Sequence, residues 1–313
     1  MNALIIPVYK NEDSIPELLS TLESMYTDLG EELTITFVVD GSPDKCHELL
    51  MHSLPGARFP SKLFLHSRNF GSFAAIRTGL LHTEAEYYSV MAADMQEPPS
   101  LIHDFFKILR SNGADLVLGA RDGRKDPWSS IFLSSLFWNF YRCYIVKEIP
   151  KGGVDIFGCN RQVRDKVLEF REARSSLVAQ LMWVGFRRKV ILYHRLQRRK
   201  GKSAWTFTKK MDYLLDSIFS FTDLPIKLLM NIGALGTIIS FIVGLTAVIA
   251  RLTNSTQVSG YTALMIAIMF FGAMNLLGLG IIGSYAQRGY ENTKMRPLAI
   301  VADKQVYKGE NRL

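Results

Sequence analysis

Three short polar segments that carry carboxylate groups interrupt apolar runs in the first third of the chain. They are Pro7-Val8-Tyr9-Lys10-Asn11-Glu12, Val39-Asp40-Gly41-Ser42-Pro43-Asp44 and Asp94-Met95-Gln96-Glu97-Pro98-Pro99. In the third segment, Asp94 and Gln96 alternate along an extended stretch and offer hard oxygen atoms, which suit Mg²⁺ or Mn²⁺ bridging a diphosphate. The same segment is also typical of the start of a helix, because proline is favoured in a first helical turn. The two interpretations are compatible.

The first two segments have the chemistry to bind a nucleotide. Asp40 can accept a hydrogen bond from the imide N–H of uracil or from a ribose hydroxyl, and Tyr9 can stack on a base. Each segment taken alone is also explained as a plain turn, since Asp-Gly and Ser-Pro-Asp favour turns. Their position after two neighbouring predicted strands favours the binding interpretation.

Apolar runs and helical patterns alternate along the first half of the chain and place these segments. Strands are predicted at residues 3–7, 34–39, 63–66, 87–92 and 115–118, and helices at residues 15–30, 74–81 and 101–109. Ser14-Ile15-Pro16-Glu17 predicts a capping box at the start of the first helix. The alternation predicts an α/β fold with a mostly parallel sheet and helices on both faces. Ligands bind beyond the carboxyl ends of such strands, which is where the polar segments lie.

Two long apolar runs occupy the last third of the 313-residue chain, at residues 226–250 and 261–283. Each is long enough for the roughly 20 residues that a bilayer core demands. Basic residues flank the pair on its outer sides, and the short loop between the runs carries one, so the positive-inside rule places both ends in the cytosol. The second run contains several small residues, which would allow the hairpin to form a homo-oligomer.

The predicted organisation therefore has four parts. They are a cytosolic domain (1–204), an amphipathic juxtamembrane helix (205–225), a transmembrane hairpin (226–284) and a basic cytosolic tail (285–313). The juxtamembrane segment is expected to lie in the membrane interface, with an ordinary surface helix as the alternative.

The chain carries a formal net charge of +8. A basic balance suits nucleic acid, an anionic membrane surface or a phosphorylated substrate. Because the basic residues crowd the stretch before the apolar runs, they favour membrane lipids as partners. No helix-turn-helix, zinc-finger or RNA-binding signature accompanies them, so nucleic acid is not an expected partner.

Several of these motifs carry a family resemblance. Beside the three segments, the chain contains Arg68-Asn69-Phe70-Gly71, Gly152-Gly153-Val154-Asp155 and Arg198-x-x-Gly201-x-Ser203-x-Trp205. In this order, and with the hairpin behind them, they resemble the polyprenyl-phosphate glycosyltransferases, the group that contains dolichyl-phosphate mannose synthase and bactoprenol glucosyltransferase. The resemblance covers nearly the whole chain.

The resemblance implies a Rossmann-like GT-A fold and an enzyme that inverts the anomeric centre. It also implies a nucleoside diphosphate sugar donor, a divalent cation and a polyprenyl phosphate acceptor. UDP-glucose is the first donor to expect and undecaprenyl phosphate the first acceptor. The enzyme would be a multi-pass protein of the inner (cytoplasmic) membrane with its catalytic domain in the cytosol.

The resemblance also implies a role for individual residues. Contacts to the donor would come from Pro7, Tyr9, Asn11, Glu12, Asp40 and Asp94. Asp94 and Gln96 would hold the metal, and Asp155 would be the catalytic carboxylate at the sugar and acceptor, together with Asp94. The acceptor phosphate would be bound by Arg121, Arg198 and Ser203, the last two from a loop that closes over the site. Whether Asp155 acts as a base or orients a substrate is left open.

The chain departs from the family pattern at four positions. The family commonly has acidic residues where this chain has Val39 and Ala92, a lysine in place of Ala204, and a glutamate that falls on Asn11 here, with Glu12 next to it. The loss at Ala92 is expected to weaken metal binding while leaving Asp94 and Gln96 intact.

Two other functions compete with this one. A membrane glycan synthase would show a Gln-x-x-Arg-Trp motif, which Gln180-Leu181-Met182-Trp183 does not match, and more than two spans. A catalytically weak membrane scaffold of the same fold would explain the departures. Release of nucleoside diphosphate in the presence of polyprenyl phosphate and metal distinguishes the scaffold from the enzyme.

Overall fold

A computed structural model describes residues 1–30, 32–122, 138–150, 153–172, 174–196, 207–253 and 260–309. Two residues that the sequence analysis assigns to the acceptor phosphate, Arg198 and Ser203, lie outside these ranges.

Within the described part of the chain, eight strands form one mixed sheet. They are β1 (Asn2–Val8), β2 (Leu33–Val39), β3 (Ser61–His66), β4 (Tyr87–Val90), β5 (Leu116–Arg121), β6 (Ile156–Asn160), β7 (Arg188–Tyr193) and β8 (Val301–Tyr307), in the order β7-β5-β6-β4-β1-β2-β3-β8. The pairs β1–β2, β1–β4, β2–β3 and β5–β7 are parallel. β6 runs antiparallel to β4 and β5, and β8 runs antiparallel to β3. The predicted α/β fold is confirmed, with β6 and β8 as antiparallel additions.

Helices cover both faces of this sheet. They are α1 (Ile15–Leu29), α2 (Cys46–Ser53), α3 (Ser72–His82), α4 (Pro99–Arg110), α5 (Arg161–Glu169), α6 (Leu177–Trp183), α7 (Phe207–Phe221), α8 (Leu224–Leu252) and α9 (Tyr261–Thr293), and residues 138–144 are also helical. Alternate side chains of β1 point to opposite faces, as the period of a strand requires. Leu4 and Ile6 join the buried cluster that contains α1, α2 and α4, whereas Ala3 and Ile5 join the cluster that contains α3, α5 and α6.

The capping box predicted at Ser14 is not formed. Glu12–Ser14 is a short 3-10 helix that runs directly into α1, so the backbone of Ser14 is already helical and its side chain makes no capping hydrogen bond. A capping side chain needs an extended backbone at its own residue, and the 3-10 turn removes it.

The predicted pair of apolar helices is confirmed. α8 and α9 contain segments long and apolar enough to cross a membrane, Leu224–Thr246 and Ala267–Thr293, and almost none of either is buried. The two helices lie antiparallel, as shown by contacts between the start of α8 and the second half of α9. The Tyr285 hydroxyl donates to the Thr222 carbonyl (3.4 Å), and Leu229 is the nearest side chain to Gly278.

The tail after the hairpin differs from its description in the sequence analysis. Residues 285–313 were assigned to a basic tail, but α9 continues to Thr293 and residues 301–307 form β8 on the edge of the domain sheet. The edge of β3 offers backbone groups that a further strand can satisfy. Since β8 belongs to the same sheet as β1–β7, the start of α8 and the end of α9 are the ends of the two apolar helices that face the domain.

Candidate active site

The segments after β1 and β2 are joined by hydrogen bonds. The backbone N–H of Lys10 donates to the Ser42 hydroxyl (2.7 Å), and the N–H of Glu12 donates to Asp44 (3.2 Å). In return, the N–H of Lys45 donates to the Glu12 carboxylate (2.9 Å). Parallel pairing in register brings the two strand ends together, so the two predicted nucleotide-binding segments form one rim. Whether they bind a nucleotide stays a prediction.

Two more residues of this rim were named from the sequence. Tyr9 is partly buried, and its backbone N–H donates to the Asn11 side-chain oxygen (3.2 Å). Pro7 lies within β1, in register with Val38 of β2. Asn11 therefore shapes the turn that presents Tyr9, while the carboxylate of Glu12 holds the neighbouring segment.

Asp40, the last of the named donor contacts on the rim, is buried and fully engaged within the protein. Its carboxylate accepts hydrogen bonds from the backbone N–H of Phe70 (2.8 Å) and of Gly71 (2.7 Å). A third comes from Nδ1 of His66 (2.8 Å), whose Nε2 contacts the Thr78 hydroxyl (2.9 Å). Since a carboxylate can only accept, Nδ1 carries a proton. In this arrangement Asp40 holds the segment Arg68–Gly71 in place, and its predicted contact to a nucleotide remains untested.

A close approach of two backbones makes this arrangement compact. Gly41 has φ +54°, and a Cβ there would lie 2.2 Å from the carbonyl carbon of Arg68. Glycine both adopts the left-handed backbone and leaves room for the neighbouring segment. The segment after β2 and the segment after β3 therefore pack directly against each other.

Acidic groups gather after β4. Glu97 is buried, and its carboxylate accepts from the backbone N–H of Ala92 (3.3 Å). Burial, together with the negative charges of Asp94 and Asp155, raises the pKa of Glu97 to about 7. The family pattern places a carboxylate at position 92, where this chain has alanine. The Glu97 carboxylate instead lies against the backbone of Ala92.

Asp155 is held by two side chains of neighbouring strands. The Arg121 guanidinium at the end of β5 binds both carboxylate oxygens, with Nη2 to Oδ1 at 2.8 Å and Nε to Oδ2. The Tyr193 hydroxyl at the end of β7 donates to Oδ2 (2.8 Å). Burial, followed by the charges of Asp155 and Glu97, raises the pKa of Tyr193, so that it stays a donor. Arg121, predicted to bind the acceptor phosphate, is here the partner of Asp155.

Gln96 connects the acidic group to the chain beyond β7. Its side-chain oxygen accepts a hydrogen bond from the Arg195 guanidinium, and its backbone carbonyl accepts from the N–H of Leu196 (2.9 Å). Arg195 also lowers the pKa of Glu97 through its positive charge. The segment that leads toward residue 198 therefore starts at the metal-binding motif predicted from the sequence.

Three residues of this site were not singled out from the sequence: His66, Glu97 and Tyr193. Glu97 could have been found from the sequence, because it is the acidic residue next to Gln96. No sequence pattern marks Tyr193 or His66, since Tyr193 acts through Asp155 and His66 acts through Asp40, both distant in the chain.

The oxygen atoms near Asp94 fit a divalent cation shared with a substrate. Among the described residues, no three His, Cys, Asp or Glu side chains are arranged to hold a metal ion. Mg²⁺ is often bound by only one or two side chains plus substrate phosphates. Asp94 offers a carboxylate and Gln96 an amide oxygen of the kind that arrangement uses, and in this structure the Gln96 oxygen accepts from Arg195.

Comparisons with known proteins identify the family of the chain. The model of "Glycosyl transferase family 2" matches residues 3–171. An uncharacterized glycosyltransferase, sll0501 of Synechocystis sp., is 32% identical over 302 residues, covering 96% of this chain and 94% of that protein. The bactoprenol glucosyl transferase of Shigella phage SfX is 27% identical and covers 97% and 99%. The mannosyltransferase PcManGT from Pyrobaculum calidifontis, a solved structure, has a TM-score of 0.45 at 15% identity, covering 92% and 84%.

Fold and site together define a glycosyltransferase of the GT-A type that is followed by two apolar helices. The chain belongs to glycosyl transferase family 2. The resemblance to the polyprenyl-phosphate glycosyltransferases drawn from the sequence is confirmed by relatives along almost the whole chain.

Proposed function

We propose that this glycosyltransferase moves a hexose from a nucleoside diphosphate sugar to a polyprenyl phosphate at the cytosolic face of the inner membrane. The observation that carries the proposal is the convergence of Asp94, Glu97 and Asp155 with Arg121 and Arg195 at the carboxyl ends of the strands. The domain that holds them is joined to two helices of membrane length. The bactoprenol named in the relatives supports a polyprenyl phosphate as acceptor.

UDP-glucose is the first donor that we propose, followed by other UDP-hexoses and then GDP-mannose. The rim formed by Tyr9, Asn11 and Glu12 on one side and the segment after Asp40 on the other is the proposed nucleotide site. Asp94 and Gln96 would hold Mg²⁺ or Mn²⁺. When bound, the ion supplies positive charge to the leaving diphosphate.

The reaction needs little proton transfer, because a phosphate monoester is already anionic near neutral pH. The residues must instead hold two anionic substrates close together and in line for displacement, which inverts the anomeric centre. Arg121 and Arg195 offset the repulsion between the substrates. Asp155 accepts three hydrogen bonds from Arg121 and Tyr193, so its orientation is set. That supports an orienting role for Asp155 toward the sugar or the acceptor.

A donor screen tests this function. The full chain, purified in detergent with Mg²⁺ or Mn²⁺, is given undecaprenyl phosphate and UDP-glucose, other UDP-hexoses or GDP-mannose. Undecaprenol without the phosphate is the matched control. We expect nucleoside diphosphate release and a single glycolipid with inverted anomeric configuration, seen by NMR. Nucleoside diphosphate release that occurs only without acceptor would contradict the proposal. A polymeric product would also contradict it and would favour the glycan synthase, and no release with any donor would favour the scaffold.

We also propose that both termini are cytosolic and that the hairpin loop is outside. The basic flanks of the hairpin and the return of the chain to the domain sheet at β8 support this orientation. A cysteine at Ser255, outside the described residues, should react with an impermeant reagent in intact cells, and one at Lys308 should not. The reverse labelling would contradict a cytosolic donor site. Oligomer formation through Gly272, Gly278, Gly280 and Gly283 stays a prediction.

A further inference from the structure

A polar cavity of about 410 Å³ lies between the juxtamembrane helix and the end of the second apolar helix. α7 contributes Asp212 and Asp216, α9 contributes Arg288 and Glu291, and Arg174 closes one side from the loop before α6. Because α7 leads into α8 and these α9 residues lie at its domain end, the cavity sits at the junction of the domain and the hairpin. Lipid headgroups occupy this level if α8 and α9 span a bilayer.

The charged groups of this cavity are only partly used by one another. Arg288 Nη2 donates to Asp216 (2.8 Å), and its guanidinium lies 5.0 Å above the ring of Phe219. The other terminal nitrogen, Nη1, is buried and has no hydrogen-bond partner within the described ranges. Glu291 binds Lys294 (2.6 Å) at the rim.

The balance of charge decides which ligand fits. Three carboxylates and two guanidinium groups line the cavity, and Lys294 pairs with the Glu291 carboxylate, so these charges balance. A phosphate monoester such as the acceptor, or an anionic phospholipid, would bring a net negative charge that this balanced set does not offset. A headgroup that carries both a phosphate diester and a primary ammonium group would find partners for both charges.

We propose that this cavity binds the headgroup of a phospholipid of the phosphatidylethanolamine type. The phosphate would accept hydrogen bonds from Arg174, and the ammonium group would donate to Asp212 and Glu291. The site is separate from the active site at the strand ends, and its lipid is not the acceptor. It would anchor α7 to α9 and hold the domain at a set height above the membrane. The inference rests on the proposed membrane placement of α8 and α9.

Native mass spectrometry of the full chain tests this site. The protein is purified in detergent and incubated with phosphatidylethanolamine, phosphatidylcholine or phosphatidylglycerol of the same acyl chains, and retained lipid is measured. Phosphatidylcholine keeps the positive charge but has no N–H to donate, and phosphatidylglycerol lacks the cation. We expect phosphatidylethanolamine to be retained about tenfold better than either, since one hydrogen bond to a charged group is worth about that factor.

Matched variants separate this cavity from general lipid binding. Arg174→Gln and Asp212→Asn should each reduce retention of phosphatidylethanolamine about tenfold. Arg58→Gln and Asp223→Asn make the same charge changes outside the cavity lining and should leave retention unchanged. Equal retention of the three lipids, or an Arg174→Gln variant that keeps phosphatidylethanolamine, would overturn the site. A chain that stays soluble without detergent would instead overturn the membrane placement. One that needs detergent but retains none of the lipids overturns the headgroup site alone.

Discussion

Replacing His66 with leucine should loosen the rim of the proposed nucleotide site from within. His66 is buried beneath that rim and donates to Asp40, and Asp40 in turn holds the backbone N–H groups of Phe70 and Gly71. Leucine fills similar space but cannot donate. The Asp40 carboxylate would then keep two donors of three, and the Thr78 hydroxyl would lose its partner on His66.

The structure allows the size of this effect to be worked out. A hydrogen bond to a charged group contributes about 1.5 to 3 kcal/mol, and a buried hydroxyl left without a partner costs about 1 to 3 kcal/mol. We therefore expect His66→Leu to lower the free energy of unfolding by about 3 kcal/mol. For a domain of about 150–250 residues this lowers the Tm by about 6 to 12 °C. His66→Asn keeps a donor toward Asp40 and should recover about half of the loss.

Thermal unfolding followed by tryptophan fluorescence and steady-state kinetics measure the two consequences. The Tm should fall in the order wild type, His66→Asn, His66→Leu, and adding Thr78→Val to His66→Leu should restore part of it by removing the unpaired hydroxyl. The donor KM should rise with the same ranking, while the acceptor KM should change little, because the segment Arg68–Gly71 packs on the donor side. A His66→Leu variant that unfolds at the wild-type temperature, or asparagine and leucine variants that behave alike, would show that His66 does not hold this rim.

Three further predictions concern the acidic group. Asp94→Asn should nearly abolish transfer while the protein still folds; wild-type turnover with an unchanged metal requirement would refute the metal assignment. Folding raises the pKa of Glu97 from 4.5 to about 7, so the protonated carboxyl stabilises the folded state fully below pH 4.5, and this contribution is lost as the pH rises through about 7. Glu97→Gln stays neutral at every pH. Its free energy of unfolding, measured by denaturant titration with EDTA, should therefore rise relative to that of wild type by up to about 3 kcal/mol between about pH 5 and about pH 8, and a difference that does not change with pH would refute the burial of a charged Glu97. Tyr193→Phe should lower kcat about tenfold by removing one of the two hydrogen bonds to Oδ2 of Asp155, with donor KM nearly kept; an unchanged kcat would show that Asp155 does not need this contact.

Periodicity and turn chemistry alone determined the outline of this protein. The period of apolar residues placed five strands and three helices close to their observed positions, because side chains of strands alternate and those of helices recur every three or four residues. Parallel strands leave their carboxyl ends at one edge, so the segments at Glu12 and Asp40 were expected to meet and do so. Two apolar runs of sufficient length predicted the hairpin.

Tertiary structure decided what each polar group contacts. The sequence predicts that Asp40 contacts a nucleotide, which stays a prediction, and the structure adds that its oxygens accept from His66 and from the backbone of Phe70 and Gly71. The predicted contact of Arg121 to a phosphate also stays a prediction, and the structure adds its ion pair with Asp155. Such pairs are 26 to 34 positions apart in the chain, and no local pattern records which of several acceptors a long side chain will reach.

The tail shows the same limit for the backbone. Val301–Tyr307 alternates apolar and polar residues only weakly, and its strand exists because the edge of β3 offers free N–H and C=O groups. Local propensity determines whether a segment can be extended, whereas pairing depends on an edge that the rest of the chain must first build. The sequence therefore determined the strands and helices of the first half of the chain and the apolar pair, and the packing of distant segments decided the strand at the tail and which charges meet.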